Sequence, residues 1–280
     1  MRIIHRISIS ATSKDRIELA AFGIAVRENK FTTFEVDEEH EHWSDLANWI
    51  QARRAVDFVN TKFSKKEIDA AEWLALLPNW HHGYPQPDDD IFGYLDATFD
   101  LTDYCKRCGI GMKQKLPFQM KKEPKWGRNG ILQLNWIFDE YFTTPEIWMS
   151  VFQPIGIACR PVIDRKGVEL KTVVQLVVKE EVGIVTDTLL REKCSSCGRM
   201  KFLPVTRGPF PPLEERPLAS MVKTKEYFGS GGSAHRSVLI SQQLTQILRL
   251  QKVQGAAVKP VKRTSIFLND FKSGIRFEKP

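Results

Sequence analysis

The chain has 280 residues, 42% hydrophobic and 27% charged, enough apolar material for one large domain or two ordinary ones, which excludes disorder as its main description. Its longest apolar run, Leu19 to Val26, is far short of the roughly 18 residues a membrane span needs, and the start, Met1-Arg-Ile-Ile-His-Arg, lacks the apolar stretch of a secretory leader, so a cytoplasmic protein away from the membrane is expected. The net charge of +7 hides an asymmetry, because residues 1–104 carry −8 and residues 105–280 carry +15; either two faces of the protein match each other or a partner of one sign is met.

Ile3, Ile7 and Ile9 alternate with polar residues, which predicts an opening strand with one buried face. Two further short strands are expected over 16–27 and 31–36, with Glu28, Asn29 and Lys30 as the turn between them. From Ser44, a plausible N-cap, Leu46, Trp49 and Ile50 repeat at helical spacing, and a helix is predicted to about residue 60. Ser64 and Glu67 have capping-box spacing before a second helix that Pro78 would stop. Residues 79–90, with two prolines, a glycine and three aspartates, read as a loop. Strands are then expected near 91–101, 114–120, 130–137 and 170–179, and Thr144-Pro145-Glu146 reads as a helix start that Pro154 and Gly156 close. Pro209 to Pro217 reads as a surface linker, followed by a glycine-rich turn into a last helix through Ile240, Leu244, Ile247 and Leu248, with Ser233 or Ser237 as cap, and a strand from Ala256. All seven tryptophans precede residue 150 and are expected mainly in the core.

The sharpest signal is duplicated: Cys105-Lys-Arg-Cys108-Gly109 and Cys194-Ser-Ser-Cys197-Gly198. In such a turn two thiolates converge while the glycine allows the backbone that follows, and two turns facing each other make the tetrahedral shell that Zn2+ favours. One structural zinc held by Cys105, Cys108, Cys194 and Cys197 is therefore expected. The 85 residues between the pairs exceed the spacing of a compact finger and imply a ribbon with a long insertion. A redox dithiol is the competing reading, but it wants a single pair opening a helix. Cys159 stands alone and reads as a packing residue. The predicted class is α+β, mainly antiparallel sheets with a few helices. The expected division is an N-terminal α+β lobe over 1–90, a zinc-knuckle region with its insert over 91–215, and a C-terminal strand-helix-strand region over 216–280, packed as one unit.

The two C-x-x-C-G pairs, their long separation, and the segment Phe228-Gly-Ser to Ala-His-Arg-Ser-Val-Leu-Ile-Ser-Gln-Gln-Leu resemble the bacterial double-CXXCG-motif proteins, over residues 90–265. Members of that family are regarded as immunity proteins against polymorphic toxins. The resemblance implies a cytosolic protein that neutralises a cognate toxin by binding it, although +7 is unusual for a group that is often acidic. Acidic segments bearing Glu38, Glu39 and Glu41, and Asp88, Asp89 and Asp90, are candidates for the partner surface, imitating phosphate before a basic toxin. The alternative is a zinc-ribbon protein that binds nucleic acid through the basic 105–128 segment, with Lys113, Lys115, Lys121, Lys122, Lys125 and Arg128 on phosphates. The Gly229–Ser233 stretch lacks the Lys of a phosphate loop. No nucleophile elbow or kinase signature is seen, and a non-catalytic protein is expected.

Overall fold

The computed structural model describes residues 1–263; the end of the expected C-terminal region, 264–280, lies outside the described residues. The class is α+β, dominated by antiparallel sheets. The chain forms two compact units, Met1–Glu67 with Val205–Pro209, and Ile68–Pro204 with Phe210 onward. Among the described residues no helix is long and apolar enough to cross a membrane.

In the smaller unit, β1 (Arg2–Ala11), α1 (Ser13–Ala21), β2 (Lys30–Asp37), α2 (Trp43–Arg53) and β3 (Val56–Lys62) follow in order. The sheet is antiparallel with β1 in the centre. Period-2 alternation sends Ile7 and Ile9 inward against Leu19, Leu46 and Ile50 of the two helices. Of residues 16–27, expected as a strand, 16–21 belong to α1 and 22–27 form a turn and irregular chain. The cause is a capping box: Thr12 Oγ1 accepts from the Asp15 amide while Asp15 accepts from the Thr12 amide at 2.8 Å. The 44–60 helix is also shorter than expected. It begins at Trp43, with no side-chain cap from His42, and stops at Arg54, whose φ of 48° is left-handed. Val56 onward then pairs with β1. Segment 205–209 joins this unit through Thr61, which donates to the Thr206 carbonyl and accepts from the Gly208 amide.

Ser64 and Glu67 do form the expected capping box, on the helix Lys65–Ala70. That helix ends early, and Trp73–Pro78 is a strand that pairs with His235–Ser241 on one side and Ala256–Pro260 on the other. The expected boundary at residue 90 therefore cuts through the larger unit. Its main sheet runs 191–193, 200–202, 221–228, 235–241, 73–78, 256–260, with 181–182 beside 221–228. A second, antiparallel sheet runs 131–132, 142–143, 169–177, 158–163. Strands were expected over 91–101 and 114–120, yet a short helix, Tyr94–Thr98, and the small hairpin of Phe99–Asp100 with Lys113–Gln114 stand there. Thr144 caps the next helix through the Ile147 amide, and Gly156, at φ 80°, ends its last turn.

Three readings near the C-terminus are corrected. The Pro209–Pro217 stretch buries Phe210 and Leu213 and bridges to Val261 and Ile184, so it is more than a surface linker. Ile240 lies on the strand His235–Ser241, and the helix Gln242–Leu250 is capped by Ser241 rather than by Ser233 or Ser237. The tryptophans pack around the cores without being fully buried; Trp43 and Trp49 flank one core, Trp80 and Trp126 another and Trp148 a third, while Trp136 is exposed.

One polar contact joins the two sheets inside the larger unit. Lys223, 3% exposed, donates to Glu140 at 2.5 Å, and Glu140 also accepts from Gln175, itself paired with Gln114. Burial pulls the Lys223 pKa down, but Glu140 and Asp139 outweigh it and raise the group above its ordinary value. Lys223→Met is expected to cost about 3 kcal/mol in urea unfolding by stranding the carboxylate, with most of that recovered in Lys223→Met/Glu140→Gln. A double variant as unstable as the single one would contradict the pairing.

Candidate metal centre

Each cysteine pair sits at the tip of an antiparallel hairpin. Phe99–Asp100 and Lys113–Gln114 carry Cys105 and Cys108; Arg191–Lys193 and Met200–Phe202 carry Cys194 and Cys197. The two tips repeat the same backbone bonds. The first cysteine's amide donates to the carbonyl five residues on, Cys105 to Ile110 and Cys194 to Arg199, both at 2.9 Å. The glycine amide returns to the first cysteine's carbonyl, Gly109 to Cys105 at 2.8 Å and Gly198 to Cys194 at 2.9 Å. Those glycines have φ of 81° and 73°, which side-chain-bearing residues rarely adopt. Gly109 is needed for a second reason: a Cβ there would lie 2.4 Å from the Gly232 carbonyl oxygen.

The four thiols meet, with every Sγ within 4.8 Å of the others. Cys105 to Cys194 is 3.8 Å and Cys108 to Cys197 is 3.6 Å, far beyond the roughly 2.05 Å of a disulfide. Cys105, Cys108 and Cys194 are buried and Cys197 is the open corner. Turn amides point at the sulfurs. The Arg199 amide, followed by the Arg199 guanidinium, holds Cys197 down at about 6, and the Cys108 and Arg107 amides lower Cys105. Cys108 is pushed up to about 12, chiefly by burial. Four donors of this kind could hold one metal ion, whose charge would replace the thiol protons.

Two basic residues absent from the sequence-based set complete the site. Lys201, 2% exposed, donates to the Cys108 carbonyl at 3.3 Å, the Ser233 carbonyl at 3.2 Å and the Gly231 carbonyl. It locks the first tip to the glycine-rich 229–234 loop, which precedes a strand rather than the expected helix. Arg199 bonds the Asp103 carbonyl, tying the second tip to the first. A lysine four residues after a cysteine carries no recognisable signal, because its partners lie 30 to 93 positions away.

The other candidates are dispersed. Glu38 is turned inward, accepting from Arg207, which lowers its pKa, and bonding His5 at 2.9 Å. Glu39 and Glu41 stay open, with side chains 72% and 83% exposed. Asp88 pairs with Arg165 at 2.9 Å and Asp89 accepts from the Gly93 amide, while Asp90 is exposed. Of the basic set, Lys113 pairs with Asp103. Lys121, Lys122 and Lys125 share one cleft; Lys115 and Arg128 do not line it. Cys159 is half-buried in the strand Ala158–Ile163, apart from the four clustered thiols.

No family model matches this chain, and neither a curated protein nor a solved structure matches it.

Cys194→Ser is expected to lose the bound metal and to lower the melting temperature by on the order of 10 °C, whereas Cys159→Ser keeps both. Metal analysis and calorimetry on the two variants check this; wild-type metal content in Cys194→Ser would contradict a shared four-thiol site.

Proposed function

We propose that the metal is zinc, that its role is structural, and that the protein is a non-catalytic binding protein which neutralises a cognate bacterial toxin by direct contact. The observation that carries the zinc reading is the sulfur spacing. A Zn–S bond of about 2.3 Å in a tetrahedron separates neighbouring sulfurs by about 3.8 Å, and the cross-tip pairs stand at 3.8 and 3.6 Å. Cys105, Cys108, Cys194 and Cys197 would fill all four positions. A zinc that activates water keeps one position open, so a closed shell supports folding rather than chemistry. Bound there, zinc supplies charge neutralisation for thiolates and a cross-link between the hairpins.

The toxin-binding part of the reading is supported by the duplicated C-x-x-C-G pattern and its resemblance to immunity proteins, together with the surface of the smaller unit. The outer face of its three-stranded sheet exposes Phe31, Val56 and Phe58, with relative exposures of 73%, 53% and 64%. Phe58 pairs with Arg6 and Phe31 with Ser10 across the strands. Glu39 and Glu41 follow β2 in the turn to α2. Exposed aromatic side chains and open carboxylates on one unit suit a partner that carries a basic, partly apolar surface, with the charges speeding encounter.

The test is neutralisation of a candidate toxin that co-purifies with this protein from its own host. Co-expression should restore growth, and purified components should form a stoichiometric complex. Glu39→Lys/Glu41→Lys is expected to slow association about tenfold at low salt and much less at high salt. Failure to rescue growth, with no complex, would overturn the immunity reading; unchanged association in the double variant would remove this surface from it.

A further inference from the structure

The larger unit has a cleft of about 410 Å³ between residues 80–88 and 121–125, lined by Trp80, His82 and Tyr84 on one wall and Lys121, Lys122 and Lys125 on the other. Its walls are tied together. The Gln86 amide donates to the Gln119 carbonyl at 2.9 Å, and His82 contacts the Lys122 carbonyl at 3.3 Å. The lysine segment is itself pinned from behind. Glu123, the only acid among residues 105–128, accepts from the Lys171 and Thr172 amides, and Trp126 donates to the Thr172 carbonyl. The carboxylate nearest to Lys121, Lys122 and Lys125 in sequence is thus spent on an adjacent strand, and among the described residues these lysines form no ion pair within 4 Å. Asp88 also lines the cleft, where its carboxylate is paired with Arg165 at 2.9 Å.

Beside the cleft the aromatic rings continue outward. The Tyr84 ring lies 4.4 Å from that of Trp136, which lies 5.0 Å from that of Phe92. All three are open to solvent, at 42%, 37% and 45% exposure. Trp136 and Phe92 have φ of 68° and 56°, a left-handed backbone that bulky residues rarely take. Two such residues holding adjacent rings at the surface is an arrangement found where strain serves a site.

We propose that this cleft and ring row bind a short single-stranded nucleic-acid segment, phosphates against Lys121, Lys122 and Lys125 and bases against Tyr84, Trp136 and Phe92. The repeating chemistry of such a strand is an anion joined to a planar ring, and the surface offers cations beside planar rings in that order. A duplex hides its base faces and would meet only the lysines. An apolar protein surface would cover the rings while stranding three cations. The inference is independent of the toxin reading and of the metal's identity.

Fluorescence anisotropy with the metal-loaded full chain and a labelled oligothymidylate of about 12 nucleotides tests it, across about 20 to 200 mM KCl. Binding is expected at low salt, with a log–log salt slope near −2, from three phosphate contacts at about 0.7 each. Lys121→Gln/Lys122→Gln/Lys125→Gln should flatten that slope, while Tyr84→Ala/Trp136→Ala should weaken binding by at least about fivefold and leave the slope unchanged. Both variants should melt as the wild type does, or single substitutions replace them. No binding at low salt, a lysine variant with unaltered slope, or a duplex or polyglutamate competing as well as the single strand would overturn the proposal.

Discussion

The larger unit depends on one constraint: two hairpin tips separated by 85 residues must bring four sulfurs together. Closing a loop of that length restricts the unfolded chain by on the order of 4 kcal/mol in the chain-entropy view, and a metal bound only by the folded arrangement adds its binding energy to folding. Without a cation, Cys197 near 6 and Cys108 near 12 describe a cluster that ionises unevenly. One divalent ion removes that conflict, because each thiolate then faces positive charge instead of another thiolate.

The centre reaches beyond its ligands. Lys201 places a buried ammonium against three carbonyls from the first tip and the glycine-rich loop, so the sheet strand 200–202, the knuckle and the 229–234 loop are held by one side chain. The loop's glycines serve that packing: a Cβ at Gly109 or Gly229 would meet backbone atoms at 2.4 or 2.3 Å. What reads in sequence as a flexible, phosphate-loop-like stretch is a close-fitting cover for the first knuckle.

The sequence made the four clustered cysteines legible because the chemistry repeats at fixed spacing, and β1 legible because Ile3, Ile7 and Ile9 alternate with polar residues. It was less informative where a short apolar run fits either period. Trp73-Leu-Ala-Leu-Leu-Pro and Ser237-Val-Leu-Ile-Ser have helical-looking stripes, yet they are neighbouring strands of one sheet, paired across 166 or so positions of chain. The segment from Arg16 contains the opposite error, and there the deciding signal was local: Thr12 and Asp15 have the spacing of a cap. The acidic and basic clusters were legible as composition but not as surfaces. Asp88 is taken up by Arg165, 77 residues away, and Glu38 by Arg207, 169 away, distances over which a linear pattern says nothing.

Native mass spectrometry of the gently isolated protein tests the central claim most directly. The account predicts a mass increment of one zinc ion per chain, lost together with cooperative unfolding when a chelator is added. A folded chain that carries no metal and melts identically with and without chelator would contradict it.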